Sequence, residues 1–109
     1  MRNVLIILII LSLIVSGING CEKETSLGAE DVKNICIDAC KAVLAEGQNL
    51  SVGPCLLNPI PNTDYVCDIA HSPRQEIDNL PENQCSSFRE GKAKHFIEVT
   101  PECKFIKAV

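Results

Sequence analysis

The sequence predicts an α+β fold, one amphipathic helix packed on a small, mostly antiparallel sheet and stapled by disulfides. Three observations predict it. Apolar residues recur at spacings of three and four between residues 29 and 46. Three short stretches rich in β-branched and aromatic residues follow, at 65–71, 93–100 and 103–107. Six cysteines are distributed through both regions.

The chain opens with a leader. Arg2 carries the one positive charge ahead of an uncharged, strongly apolar run over residues 4–16, and Ser16, Gly17, Asn19 and Gly20 lead to Cys21. The apolar run is shorter than the roughly 18 to 20 residues that span a bilayer core, so residues 1–20 are expected to be a cleaved signal peptide rather than a permanent span. Ile18, Gly20 and Cys21 fit a lipoprotein signal, although Asn19 stands where a small residue is usual. Cys21 is therefore expected to carry lipid, residues 21–28 to form a polar tether, and residues 29–109 to fold as a disulfide-stapled domain. The expected location is the cell membrane, lipid-anchored on its extracytoplasmic face.

Setting Cys21 aside leaves Cys36, Cys40, Cys55, Cys67, Cys85 and Cys103. An even number in a short exported chain reads as three disulfides. A domain of about 80 residues with no Trp, one Tyr and three Phe buries a modest core, and each bridge would contribute roughly 2 to 4 kcal/mol.

The helix over residues 29–46 places Val32, Ile35, Cys36, Ala39, Cys40, Val43 and Leu44 on one stripe, with Gly47 in position for a left-handed C-cap. Two cysteines at i and i+4 of a helix do not readily bond to each other, so Cys36 and Cys40 should each bridge to a different one of Cys55, Cys67, Cys85 and Cys103, and the remaining two of these should pair. Cys36-Ile-Asp-Ala-Cys40 has one residue too many, and lies too far inside the helix, for a thiol-disulfide redox motif. Gly53-Pro54, Pro59, Pro61 and Asn62 mark loops on either side of Cys55. Thr100-Pro101-Glu102 is a turn that folds the last two strands into a hairpin.

Residues 72–91 show no helical or alternating pattern and read as a long polar loop whose middle is pinned by Cys85. Such a loop is the expected contact surface, with Arg74, Asp78, Asn83 and Arg89 as candidate binding residues. The two histidines, His71 and His95, flank it. If the flanking strands paired so as to bring them together, they could act as an acid/base pair beside Arg74. No nucleophile is marked and no hydrolase motif occurs, and the bland alternative is that the histidines pack while Asp78, Asn79 and Asn83 cap turns. A two-histidine zinc site with Asp68 or Glu98 is a weaker alternative, and neither a metal nor a cofactor is expected. Asn49-Leu50-Ser51 is a glycosylation sequon on an expected turn.

Charge narrows the partners. Removing residues 1–20 takes away one of ten basic residues, leaving nine against fourteen acidic ones and a formal charge of −5. Such a surface argues against nucleic acid and leaves the lipid on Cys21 as the expected membrane contact.

The segments Cys67-Asp-Ile-Ala-His-Ser-Pro-Arg74, Asp78-Asn-Leu-Pro-Glu-Asn-Gln-Cys85 and His95-Phe-Ile-Glu-Val99 resemble a group of small, cysteine-bearing exported archaeal proteins of uncharacterised function. The resemblance spans roughly residues 32–106 and implies a compartment but no chemistry. Together the observations predict an extracytoplasmic binding or envelope-interaction module, with a small secreted hydrolase using His71 and His95 as the alternative.

Overall fold

A computed structural model describes residues 27–109. The expected leader, Cys21 and most of the tether lie outside the described residues. Among those described, no helix is long and apolar enough to cross a membrane.

The element order is α1 (Ala29–Ala45), β1 (Cys55–Leu57), β2 (Tyr65–Ile69), two 3₁₀ turns (Glu76–Asn79 and Pro81–Asn83), α2 (Ser86–Arg89), β3 (His95–Val99) and β4 (Phe105–Ala108). α1 begins where Asp31 Oδ2 accepts the Gly28 N–H at 3.2 Å. It ends at Gly47, whose φ of +86° lets the Gln48 N–H return to the Val43 carbonyl at 3.1 Å. The predicted helix is thus present nearly to the residue.

The sheet has four strands in the order β1-β2-β3-β4. β1 and β4 pair antiparallel with their neighbours, and β2 and β3 pair parallel in unbroken register from Tyr65 opposite His95 to Ile69 opposite Val99. β3 and β4 form the expected hairpin, closed by a turn in which Cys103 takes a φ of +67° and donates to the Thr100 carbonyl at 2.8 Å.

Two expectations change. The prolines around Cys55 conceal a short edge strand, β1. Residues 72–91 are not a structureless loop, because they are the crossover that any parallel strand pair requires, and they contain the two 3₁₀ turns and α2. Three-residue turns repeat too few times to leave a helical period in the sequence.

Alternation sorts the strands into two faces. Cys67, Ile69, Ile97 and Val99 point to α1 and join Val32, Cys36, Cys40, Leu50 and Ile60 in the main core. Val66 and Phe96 point the other way, toward the crossover, where they meet Cys55, Cys85 and Ala93 in a second small cluster. The disulfides follow this layout. Cys36–Cys67 joins α1 to β2, Cys40–Cys103 joins α1 to the last hairpin, and Cys55–Cys85 ties the crossover to β1. The two helix cysteines bridge to different segments and the remaining two pair, as predicted.

Candidate functional site

The histidines do not meet. His95 lies opposite Tyr65 at the start of the parallel pair, whereas His71 follows the end of β2, so about 20 Å of strand separates them. The difference follows from parallel pairing, which puts the beginning of one strand beside the beginning of the other. His95 stacks on Tyr65 with ring centroids 4.9 Å apart and donates from Nδ1 to the Val109 carbonyl at 3.1 Å. They cannot share a substrate as an acid/base pair, and no group of three metal-ligating side chains occurs among the described residues.

His71 is instead part of a fastening. Asp78, only 2% exposed, accepts the His71 ring at 2.9 Å and the backbone N–H groups of His71 and Gln75 at 3.0 and 2.9 Å. Burial pushes the Asp78 carboxyl up, but these donors outweigh it and hold the group below its ordinary value. Asn83 caps the same turn by donating to the Ile77 carbonyl at 2.9 Å. Asp78 and Asn83, expected as binding residues, therefore act as internal supports of the crossover. Asn49 is exposed, and its Oδ1 accepts the Ser51 N–H at 3.0 Å, making a local turn.

Arg74 and Arg89 are placed differently. They face a cleft of about 310 Å³ between the crossover and the outer face of the sheet. Its floor is Val66, Asp68, Phe96 and Glu98, its far wall is Lys107 of β4, and the crossover contributes Gln84, Cys85 and Phe88 beside the two arginines. Arg74 is wholly engaged, donating from Nε to Asn79 Oδ1 at 2.7 Å, from Nη2 to the Asp78 carbonyl at 3.2 Å and from Nη1 to Glu98 Oε2. It thereby carries the rigidity of the Asp78 turn into the cleft. Asn58 does the same for α2, accepting the Ser87 N–H at 2.8 Å and donating to Ser86 Oγ at 2.7 Å.

The chemistry concentrates at Asp68 and Glu98. They occupy paired positions on β2 and β3, so their carboxyls rise from the same face of adjacent strands whose backbones lie about 4.8 Å apart. Glu98 is 4% exposed and answered on both oxygens, by Arg74 on Oε2 and by Lys107 Nζ at 3.6 Å on Oε1. Asp68 has no such partner, and its Oδ1 is buried without a hydrogen bond among the described residues. Burial, followed by the charge of Glu98, pushes the Asp68 carboxyl up to about 7, against the opposing pull of Arg74 and the Ile69 N–H. Near neutrality Asp68 is a half-titrated acid beside an ion-paired carboxylate.

No family model matches this chain, and no curated protein or solved structure matches it. Geometry and sequence therefore carry the functional reading.

Proposed function

We propose that the protein is an extracytoplasmic binding module, held to the membrane by lipid on Cys21, that takes its ligand in the cleft between crossover and sheet. One observation carries the reading. Asp68 lines the floor of a cleft whose walls are immobilised by a disulfide and by hydrogen-bonded turns, and one of its carboxyl oxygens is buried without a partner among the described residues. A polar atom buried without a partner costs stability, and such groups concentrate where something else supplies the bond. Binding fits better than hydrolysis because both oxygens of Glu98 are already taken by cations, which leaves no second carboxylate free to exchange protons with a substrate. The three disulfides and the leader support an oxidising, exported location.

The reading has two tests. Cys21→Ser should release the protein from membranes or block its processing, and unchanged membrane partition would remove the anchor. A photoreactive amino acid at position 88 should give envelope adducts that are absent when it is placed at the exposed Lys41 of α1 and lost when Arg89→Glu is added. The same adducts from both positions, or none from either, would remove the cleft as the contact surface.

A further inference from the structure

The cleft has a charge and a shape that select among ligands. Three cations, Arg74, Arg89 and Lys107, line it with two carboxyls, Asp68 and Glu98. Arg74 and Lys107 both pair with Glu98, while Arg89 is exposed and its guanidinium makes no ion pair or hydrogen bond among the described residues. In a chain with more acidic than basic residues, this one concavity is positive by one to two charges, depending on the state of Asp68. The apolar side is as definite. Phe88 is 39% exposed and meets Phe96 edge to face at 4.9 Å between centroids, so an aromatic surface lies beside the cations.

We propose that the cleft binds a small organic carboxylate with an apolar body, with the anion between Arg89 and Lys107 above Asp68 and the body against Phe88 and Phe96. This rests on the reading of the protein as a binding module and adds the class of ligand. A cationic ligand would meet uncompensated positive charge. A neutral ligand would leave Arg89 unanswered. Asp68 completes the site in its protonated form, since a carboxylic acid donates a hydrogen bond to the incoming carboxylate, whereas an aspartate repels it. Binding therefore favours the protonated form of Asp68 and takes up a proton where that group was ionised. The groups that bear on this proton are Glu98 from β3, Lys107 from β4, and Arg74, Asp78 and Arg89 from the crossover. β1 presents the disulfide-bonded Cys55 opposite Asp68, which does not titrate, and α1 packs on the other face of the sheet.

The probes are benzoate, benzylamine and benzyl alcohol, which share one apolar body and differ in charge. They are titrated calorimetrically into the full-length protein in lipid nanodiscs at pH 6 and pH 8, with empty nanodiscs subtracted. Benzoate should bind more tightly than the other two, and its affinity should fall roughly tenfold from pH 6 to pH 8 as the competent protonation state is depleted. Arg89→Ala should weaken benzoate about tenfold while leaving the melting temperature unchanged. Asp68→Asn, which keeps a donor but cannot ionise, should remove the pH dependence. The inference is overturned if benzylamine or benzyl alcohol binds as tightly as benzoate, if Arg89→Ala has no effect, if the pH dependence survives Asp68→Asn, or if no probe binds. In that last case, adducts from position 88 would leave the binding reading standing, and their absence would remove both.

Discussion

Asp68 and Glu98 stand directly opposite one another on the two parallel strands, and only one of them is neutralised by cations. Glu98 holds Arg74 and Lys107, whereas Asp68 has no cation bound to it among the described residues, and burial, followed by the charge of Glu98, pushes its carboxyl up. The asymmetry arises from topology. The crossover returns Arg74 over β3, and the hairpin sets Lys107 opposite Glu98, whereas the neighbour of Asp68 on its other side is a disulfide-bonded cysteine.

Asp68 should make the protein less stable as pH rises. Its folded-state value of about 7 exceeds the unfolded value of 3.8, so between these limits the folded state retains a proton that the unfolded state has released. Stability thus declines from about pH 4 to pH 7 and stays lowered above. Asp68→Asn should be roughly 2 to 4 kcal/mol more stable than the parent at pH 8 and about equal to it at pH 4, as read from denaturant unfolding at both values. A variant no more stable at pH 8 would show that Asp68 is not held protonated by its surroundings.

Asp78 has the opposite sign. With its folded-state value lowered, the stability it contributes is complete above the ordinary carboxylate range and is lost as pH falls through the lower folded value. Asp78→Ala removes the acceptor of two backbone N–H groups and the His71 ring. It should cost about 2 to 4 kcal/mol at pH 7, with hydrogen exchange accelerated first at Gln75. Unchanged exchange at that amide would mean that the turn is held by other contacts.

Gly53 explains why no side chain is tolerated beside this turn. A Cβ there would lie 2.5 Å from Asp78 Oδ1 and 3.3 Å from the Ile69 carbonyl, on a backbone with φ of +72°. Gly53→Ala should destabilise by about 1 to 3 kcal/mol, measured by thermal unfolding, whereas Gly47→Ala, with no atom within 4 Å, should cost only the positive-φ strain. Equal losses at the two positions would argue that conformation alone decides both.

Cys55–Cys85 should protect the crossover more than the rest of the domain. Replacing both cysteines by serine leaves two bridges on α1 and removes the only one on residues 72–91. Loss of roughly 2 to 4 kcal/mol is expected, together with proteolytic cleavage near α2 while α1 stays resistant. Cleavage beginning in α1 would place the bridge's main effect elsewhere.

Strong periodicity made much of this fold legible. α1 announced itself by apolar spacing and its glycine cap, the last hairpin by its proline turn, and the bridging logic by the i, i+4 placement of Cys36 and Cys40. β1 was hidden because three residues between prolines are too few to alternate. Parallel pairing of β2 and β3 is hidden because strand residues carry no mark of their direction, and only an antiparallel pair would bring His71 and His95 together. Arg74 and Arg89 were placed in the cleft by the same loop that suggested them. In the sequence Asp68 and Glu98 stand out as alternative metal partners. Their signal was present in the matching alternation of Tyr-Val-Cys-Asp-Ile and His-Phe-Ile-Glu-Val, each with an acid second from its end on the outward face. Register had to be known before the match became a pair.

The order of the disulfides sets a demand on how the domain is made. Counted from Cys36, the first of the six bridged cysteines bonds to the fourth, the second to the sixth and the third to the fifth, so no bridge joins sequence neighbours. A polypeptide that emerges from its N-terminus and oxidises at once can trap Cys36 with Cys40 or Cys55, and the Cys40 bridge cannot close until Cys103, the last of the six, has appeared. Correct maturation therefore calls either for oxidation delayed until Cys103 is present or for a catalyst that reshuffles early bonds.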